Sequence, residues 1–350
     1  MYLFHNDYNE SCHEAVLNAV RNSMGCQYGG YGIDEYCERA TRKIRTLCMN
    51  DALSVHYLVG GTQTNLTVIA AALRPHQAVL CAGSGHINVH ETGAIEATGH
   101  KVVTIPSSDG KICALAVEQI LDAQSRDGNA EHVVQIKMVY ISNSTELGTI
   151  YTLQELRDLS EVCRKYNVYL FIDGARLGYA LTAEGNDVAL SDLAQLCDVF
   201  YIGGTKCGAM FGEAVVISNP MIAEDFRYLI KQHGAMLAKG WLLGLQFDAL
   251  LTDGLYFEVA KRANTYADMI RNTLQELEIP LFVPGKTNQV FAILSNELME
   301  YLSDNFTFML EKRIDDNHSA VRFCTSWATK QESVYALCDA LRCFYKRQGG

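Results

Sequence analysis

A mainly parallel α/β sheet flanked by helices, followed by a smaller α+β domain, is the fold this sequence predicts. Three observations predict it. Short β-branched or aromatic runs alternate with helical stretches, as in βαβ units. Those runs are apolar almost throughout, which suits strands buried on both faces. Beyond about residue 255 the pattern changes, and NQVFAILS (288–295), FTFMLEKRI (306–314) and SAVRFCTSW (319–327) read as strands of a separate sheet. The expected organisation is an N-terminal segment, 1–30, packing with the small domain, a large α/β domain over 31–255, and a small α+β domain over 256–350.

Taken in order, residues 12–24 and 35–49 have the spacing of amphipathic helices. GGTQTN (60–65) then opens a helix through LTVIAAAL, with Thr62 as its expected N-cap. Strands are expected at AVLCA (78–82), KVVTIP (101–106), VVQIKMVYIS (133–142), VYLFIDG (168–174) and DVFYIGG (198–204). Thr152 stands three residues before Glu155, a capping-box pattern that starts a helix. Residues 222–250 read as one or two long helices, and further helices are expected near 296–303 and 330–345.

Composition narrows the function. With 29 basic and 40 acidic residues the formal net charge is -11, which disfavours nucleic acid and anionic membrane surfaces as partners. MYLFHNDYNE lacks the basic start and apolar core of a secretory signal, and no apolar run has the length of a membrane span, so a cytoplasmic protein is expected. None of the twelve cysteines forms a C-x-x-C pair, so buried free thiols are expected and no metal site.

Ligands of open parallel sheets bind beyond the carboxyl ends of the strands. Lys206 follows one such strand and two glycines, where partial burial would ease loss of its proton and imine formation; alone it also reads as a lysine reaching the surface. Asp173 closes another strand, and an aspartate there must be paired. Either it pairs with Arg176 or caps a helix, or it faces the pyridine nitrogen of pyridoxal phosphate (PLP), and the combination with Lys206 points to PLP. Gly61 and Thr62 open a helix whose free amides suit a phosphate, and Thr205 is a second candidate phosphate ligand. His86 follows a strand and a Gly-Ser-Gly turn, where its ring could stack on a cofactor. His90 and Glu91 lack the order and third ligand of a metal motif.

These stretches, together with YGIDEY (31–36), SGHINVHETG (84–93), DGARLGYAL (173–181), YIGGTKCGAMFGEAVV (201–216) and VRFCTSW (321–327), resemble the threonine aldolase and β-eliminating lyase family of fold-type-I PLP enzymes. The resemblance implies PLP as cofactor, carried by Lys206 as a Schiff base, with Asp173 at the pyridine nitrogen and His86 stacked on the ring. It implies that Gly61 and Thr62 bind the phosphate, that Arg176 lies near the cofactor oxygen and substrate carboxylate, and that Arg322 clamps that carboxylate. Asn6 lies where the family often has a serine near the carboxylate. Tyr31 and Lys239 match residues lent by a neighbouring subunit, Lys239 toward the phosphate, so a homodimer or homotetramer with shared sites is implied. Many members carry a histidine in a T-H-N-G turn near the substrate hydroxyl; here the turn reads NSTELG, and Glu146 occupies the approximate place. The implied activity is cleavage of an L-threonine-type β-hydroxy-α-amino acid, a small-molecule substrate, to glycine and an aldehyde. Other PLP reactions at the same site, such as β-elimination, racemisation or decarboxylation, and a non-catalytic binding member are the alternatives.

Overall fold

The computed structural model describes residues 1–348. Its strands are β1 (Tyr2–Leu3), β2 (Ser54–Leu58), β3 (Gln77–Ala82), β4 (Lys101–Ile105), β5 (Gln135–Ser142), β6 (Tyr169–Asp173), β7 (Val199–Gly203), β8 (Glu213–Ile217), β9 (Leu281–Val283), β10 (Gln289–Ser295), β11 (Phe306–Thr307), β12 (Met309–Arg313) and β13 (His318–Cys324). Seven form the central sheet in the order β2-β8-β7-β6-β5-β3-β4. β3 to β7 run parallel, and β8 runs antiparallel to both its neighbours.

Side-chain alternation along the strands splits the core between the two faces of this sheet. Leu80, Val139, Ile141, Leu170, Ile172, Phe200 and Ile202 pack on one side. Val79, Cys81, Met138, Tyr140, Phe171, Val199 and Tyr201 pack on the other. Both faces are therefore apolar, which is why these strands read as continuous runs. β2 and β8 were not among the expected strands. β2 is an edge strand with one partner, and its Ser54 and His56 stay only half-buried, so it lacks the apolar signature.

Helices cover both faces. Thr152 and Glu155 make the reciprocal capping box that starts helix Leu153–Lys165: the Thr152 hydroxyl accepts from the Glu155 amide at 3.2 Å, and Glu155 accepts from the Thr152 amide at 2.8 Å. The helix after β2 begins at Gly61, with Gly60 as N-cap, so Thr62 lies in the first turn rather than capping it. The 222–250 stretch is broken into Pro220–Ala223, Phe226–Gln232 and Trp241–Leu250. Left-handed backbone at Asp225 (φ 55°) and Gly234 (φ 71°) interrupts it. A side chain on Gly240 would lie 2.7 Å from the Gly32 amide, so the loop before Trp241 is fitted against residues 29–33.

A second sheet, β12-β13-β10-β9, is antiparallel. FTFMLEKRI divides between β11, which pairs with β1, and β12 on the edge of this sheet. The N-terminal stretch also divides: Phe4 enters the small-sheet core, whereas Val16 of helix Glu14–Asn22 enters the core under the large sheet. Helix Leu255–Glu276 serves both cores, Tyr256, Ala260 and Ala263 facing one and Ala267, Ile270 and Leu274 the other. The change of core thus falls within this helix. All twelve cysteines are free; eight are buried as expected, Cys12 is half-buried, and Cys26, Cys113 and Cys343 are exposed. No helix is long and apolar enough to cross a membrane among the described residues.

Candidate active site

Five segments that leave the same end of the central sheet meet here: the Gly61 helix after β2, and the residues following β3, β5, β6 and β7. Glycines allow two of them to approach. A Cβ on Gly174 would fall 1.7 Å from the Tyr201 carbonyl oxygen, and one on Gly203 would fall 2.5 Å from that of Ala175. The turns carrying Asp173 and Lys206 are thereby pressed together.

Asp173 is buried at 4% exposure. Its Oδ2 accepts from the Tyr140 hydroxyl at 2.5 Å and from Asn65 Nδ2 at 3.0 Å, and its Oδ1 accepts from the Ala175 amide at 2.9 Å. Burial pushes its pKa up, but the His86 charge and the Tyr140 bond outweigh this, and the carboxyl lies below its ordinary range. Burial, and then the charge of Arg176, lower the pKa of Lys206, against the pull of Asp7, Asp173 and Glu213. Its amino group has no hydrogen bond or ion pair among the described residues. The turn beneath it is tied to Glu213, whose carboxylate accepts from the Thr205 hydroxyl at 2.8 Å and the Gly204 amide at 3.1 Å. Burial pushes Glu213 up to about 8. The Thr205 hydroxyl also accepts from the Gly212 amide at 3.0 Å, so this side chain holds the lysine turn and has no free donor for a phosphate.

His86 starts the short helix His86–Val89. Its Nδ1 lies 2.7 Å from Glu91 Oε1, and its amide donates to Glu146 Oε1 at 2.9 Å. The same Glu146 oxygen accepts from the Ser142 hydroxyl at 2.6 Å. Burial raises the Glu146 pKa. The first turn of helix Gly61–Ala72 has no side-chain cap, leaving open the amides of the predicted phosphate residues Gly61 and Thr62.

Arg176 is held by the N-terminal segment. Its Nε and Nη2 donate to Asp7 Oδ2 and Oδ1 at 2.8 and 3.0 Å, and Asn288 donates to Asp7 at 2.9 Å. One edge of the guanidinium is therefore occupied, which leaves Nη1 for the role expected of it. Asp7 is fully buried; burial raises its pKa, but the Arg176 charge overrides this and brings it to about 2. A carboxyl lowered on folding adds stability above its unfolded pKa of 3.8, and that stability is lost as pH falls toward about 2. Asp7→Ala strands a buried cation and should cost about 3–5 kcal/mol at pH 7. Urea denaturation checks this, and the deficit relative to wild type should shrink between pH 4 and pH 2.

Arg322 on β13 donates to the His5 carbonyl at 3.3 Å and pairs with Glu311 at 3.4 Å. His90 feels the charges of Glu311, Arg322 and Arg176, which places the small sheet beside the His86 segment. Asn6 accepts from the Tyr8 amide at 3.0 Å and stays half-buried. Tyr31 and Lys239 are exposed and share one surface, the Tyr31 amide donating to the Ala238 carbonyl at 3.2 Å. Neither has a hydrogen bond or ion pair with Lys206, Asp173 or His86.

Asp7, Asn65, Tyr140 and Glu213 were not singled out from the sequence, and Glu91 was considered only as a metal ligand. Tyr140 carried a signal: a hydroxyl inside an otherwise apolar strand needs a partner. Asn65 and Asp7 carried none, because their partners are 108 and 169 residues away.

The family model for "Beta-eliminating lyase" matches residues 12–297. The low specificity L-threonine aldolase of Pseudomonas sp. (strain NCIMB 10558) is 29% identical over 96% of this chain and 95% of its own. That of Candida albicans is 26% identical over 70% and 64%. Among solved structures, the threonine aldolase of Leishmania major is 44% identical, with a TM-score of 0.96 over 98% of this chain and 99% of that one. Aspartate aminotransferase of Thermus thermophilus, 15% identical with a TM-score of 0.72 over 99% and 91%, shares the fold. With this fold-type-I architecture and these relatives, the chain belongs to the β-eliminating lyase family of PLP-class enzymes, on its threonine aldolase branch.

Proposed function

We propose that the protein cleaves β-hydroxy-α-amino acids of the L-threonine or L-allo-threonine type to glycine and an aldehyde, with PLP held on Lys206. The observation that carries this reading is Lys206 itself: an amino group of lowered pKa, with no hydrogen bond or ion pair among the described residues, beside the buried carboxylate of Asp173. The surroundings fit PLP. The uncapped helix at Gly61 suits its phosphate, and Asp173, held below its ordinary pKa, suits a protonated pyridine nitrogen. Asn65 Oδ1 and Glu91 Oε2 are buried there without hydrogen bonds. When bound, PLP supplies the electron sink for the broken Cα–Cβ bond.

The protein's own part is binding, orientation and proton movement. Lys206, deprotonated more readily than a surface lysine, provides the nucleophilic amine. Arg322 binds the substrate carboxylate, with Arg176 Nη1 and Asn6 beside it, which fixes the orientation of the Cα bonds. Glu146 is the candidate acceptor of the β-hydroxyl proton; burial makes it a stronger base than an ordinary carboxylate. The alternative acceptor is His86 at Nε2, with Glu146 serving to hold the His86 helix. Tyr31 and Lys239 complete the site of a neighbouring copy.

A panel of L-threonine, L-allo-threonine, D-threonine and L-serine, assayed with PLP, tests the proposal. Glycine and acetaldehyde should appear in equal amounts from the L-threonine isomers. Ammonia and a 2-oxo acid without glycine would instead assign β-elimination. Arg322→Ala should keep its bound PLP and raise KM about ten- to a hundred-fold, the loss of a charge-assisted contact of about 1.5–3 kcal/mol. Loss of PLP on this substitution would make Arg322 structural.

A further inference from the structure

Behind His86 lies a chain of polar groups that the reaction as described does not use. His86 Nδ1 meets Glu91 Oε1 at 2.7 Å. Asn65 Nδ2 donates to that same oxygen at 2.7 Å and to Asp173 Oδ2 at 3.0 Å. The Glu91 side chain is wholly shielded, whereas that of His86 is 32% exposed. One amide group thus joins the carboxylate behind the histidine to the carboxylate at the proposed cofactor nitrogen.

We propose that Glu91 is a positioning residue for the reaction: it accepts a hydrogen bond from His86 Nδ1–H, which fixes the ring and its tautomer and leaves Nε2 as the nitrogen able to take a proton. This rests on the proposed aldol cleavage and on His86 acting within it. The geometry sets the direction of each bond. Asn65 is a donor toward both carboxylates, because only its nitrogen can serve two acceptors. Glu91 Oε1 therefore already accepts once, and its second lone pair accepts from Nδ1–H. The main chain of His86 is held independently by Glu146, so the ring is fixed from two sides. A histidine that can rotate or exchange tautomers presents the wrong nitrogen for part of the time. Asn65 extends the effect, since displacing Glu91 also loosens a donor to Asp173.

Nitrogen-15 spectra of the His86 ring, assigned by their loss in His86→Asn, test this in wild type, Glu91→Gln and Glu91→Ala, with and without PLP. The hydrogen should sit on Nδ1 in wild type and in Glu91→Gln, whose amide oxygen still accepts. Glu91→Ala should show both tautomers. Its kcat should fall about ten- to a hundred-fold with KM little changed, the scale on which removing the carboxylate behind a metal-bound histidine acts, and Glu91→Gln should recover most of it. A wild-type ring protonated at Nε2, or a Glu91→Ala enzyme with wild-type kcat, overturns the proposal. Should Glu91→Ala not fold, the wild-type and Glu91→Gln spectra still decide. A wild type that makes no glycine would remove the aldol reading alone, because the tautomer is read without turnover.

Discussion

Lys206→Ala should leave no covalently held PLP and lower aldol cleavage by about 10⁴- to 10⁶-fold, the scale seen when a residue that bonds the reacting group is removed. The expectation comes from the environment rather than from position alone. Burial, and then the Arg176 charge, shift this lysine toward its neutral, nucleophilic form against the pull of the nearby carboxylates. The neighbouring turn is braced by Glu213 and Thr205, so removing the side chain should leave the fold in place. Absorbance of the dialysed protein in the visible and a glycine assay give the two readouts. A Lys206→Ala protein that keeps near-normal turnover would contradict the assignment.

Asp173→Asn is the second large effect. The amide keeps the shape and can still accept from Tyr140 or the Ala175 amide, but it removes the charge. Breaking one side of a buried ion pair costs about 3–5 kcal/mol, so kcat should fall by about 10²- to 10⁴-fold. The variant should still bind PLP through Lys206 and the Gly61 helix, which separates this defect from loss of the cofactor. Because the wild-type carboxyl lies below its ordinary range, it stays ionised through neutral pH, and no loss of activity between pH 5 and 8 should trace to Asp173. Steady-state kinetics with cofactor occupancy checked in the same samples decides it.

The strands that deliver these residues were legible because burial on both faces of a parallel sheet leaves unbroken apolar runs, and chemistry at their ends then stands out. β2 was not, because an edge strand with Ser54 and His56 half-exposed carries no such run. The capping box at Thr152 was readable since all its parts are local; the start of helix Gly61–Ala72 was misplaced because Gly60 caps it with no side chain to signal the boundary. Within the site, the candidate residues at strand ends could be proposed from the sequence, whereas the groups that hydrogen-bond to them could not. Asp7 holds Arg176 from the far N-terminus, and Asn65 reaches Asp173 across 108 residues, so only the fold brings them together. Thr205 shows the opposite case: its place beside the lysine suggested a phosphate ligand, but the structure bonds its hydroxyl to Glu213.

Borohydride reduction of the PLP-loaded protein, followed by peptide mass mapping, tests whether Lys206 carries PLP. The added pyridoxyl phosphate should fall on the peptide containing Lys206 and be absent from Lys206→Ala; label on another lysine, such as Lys239, or none at all, would contradict the account.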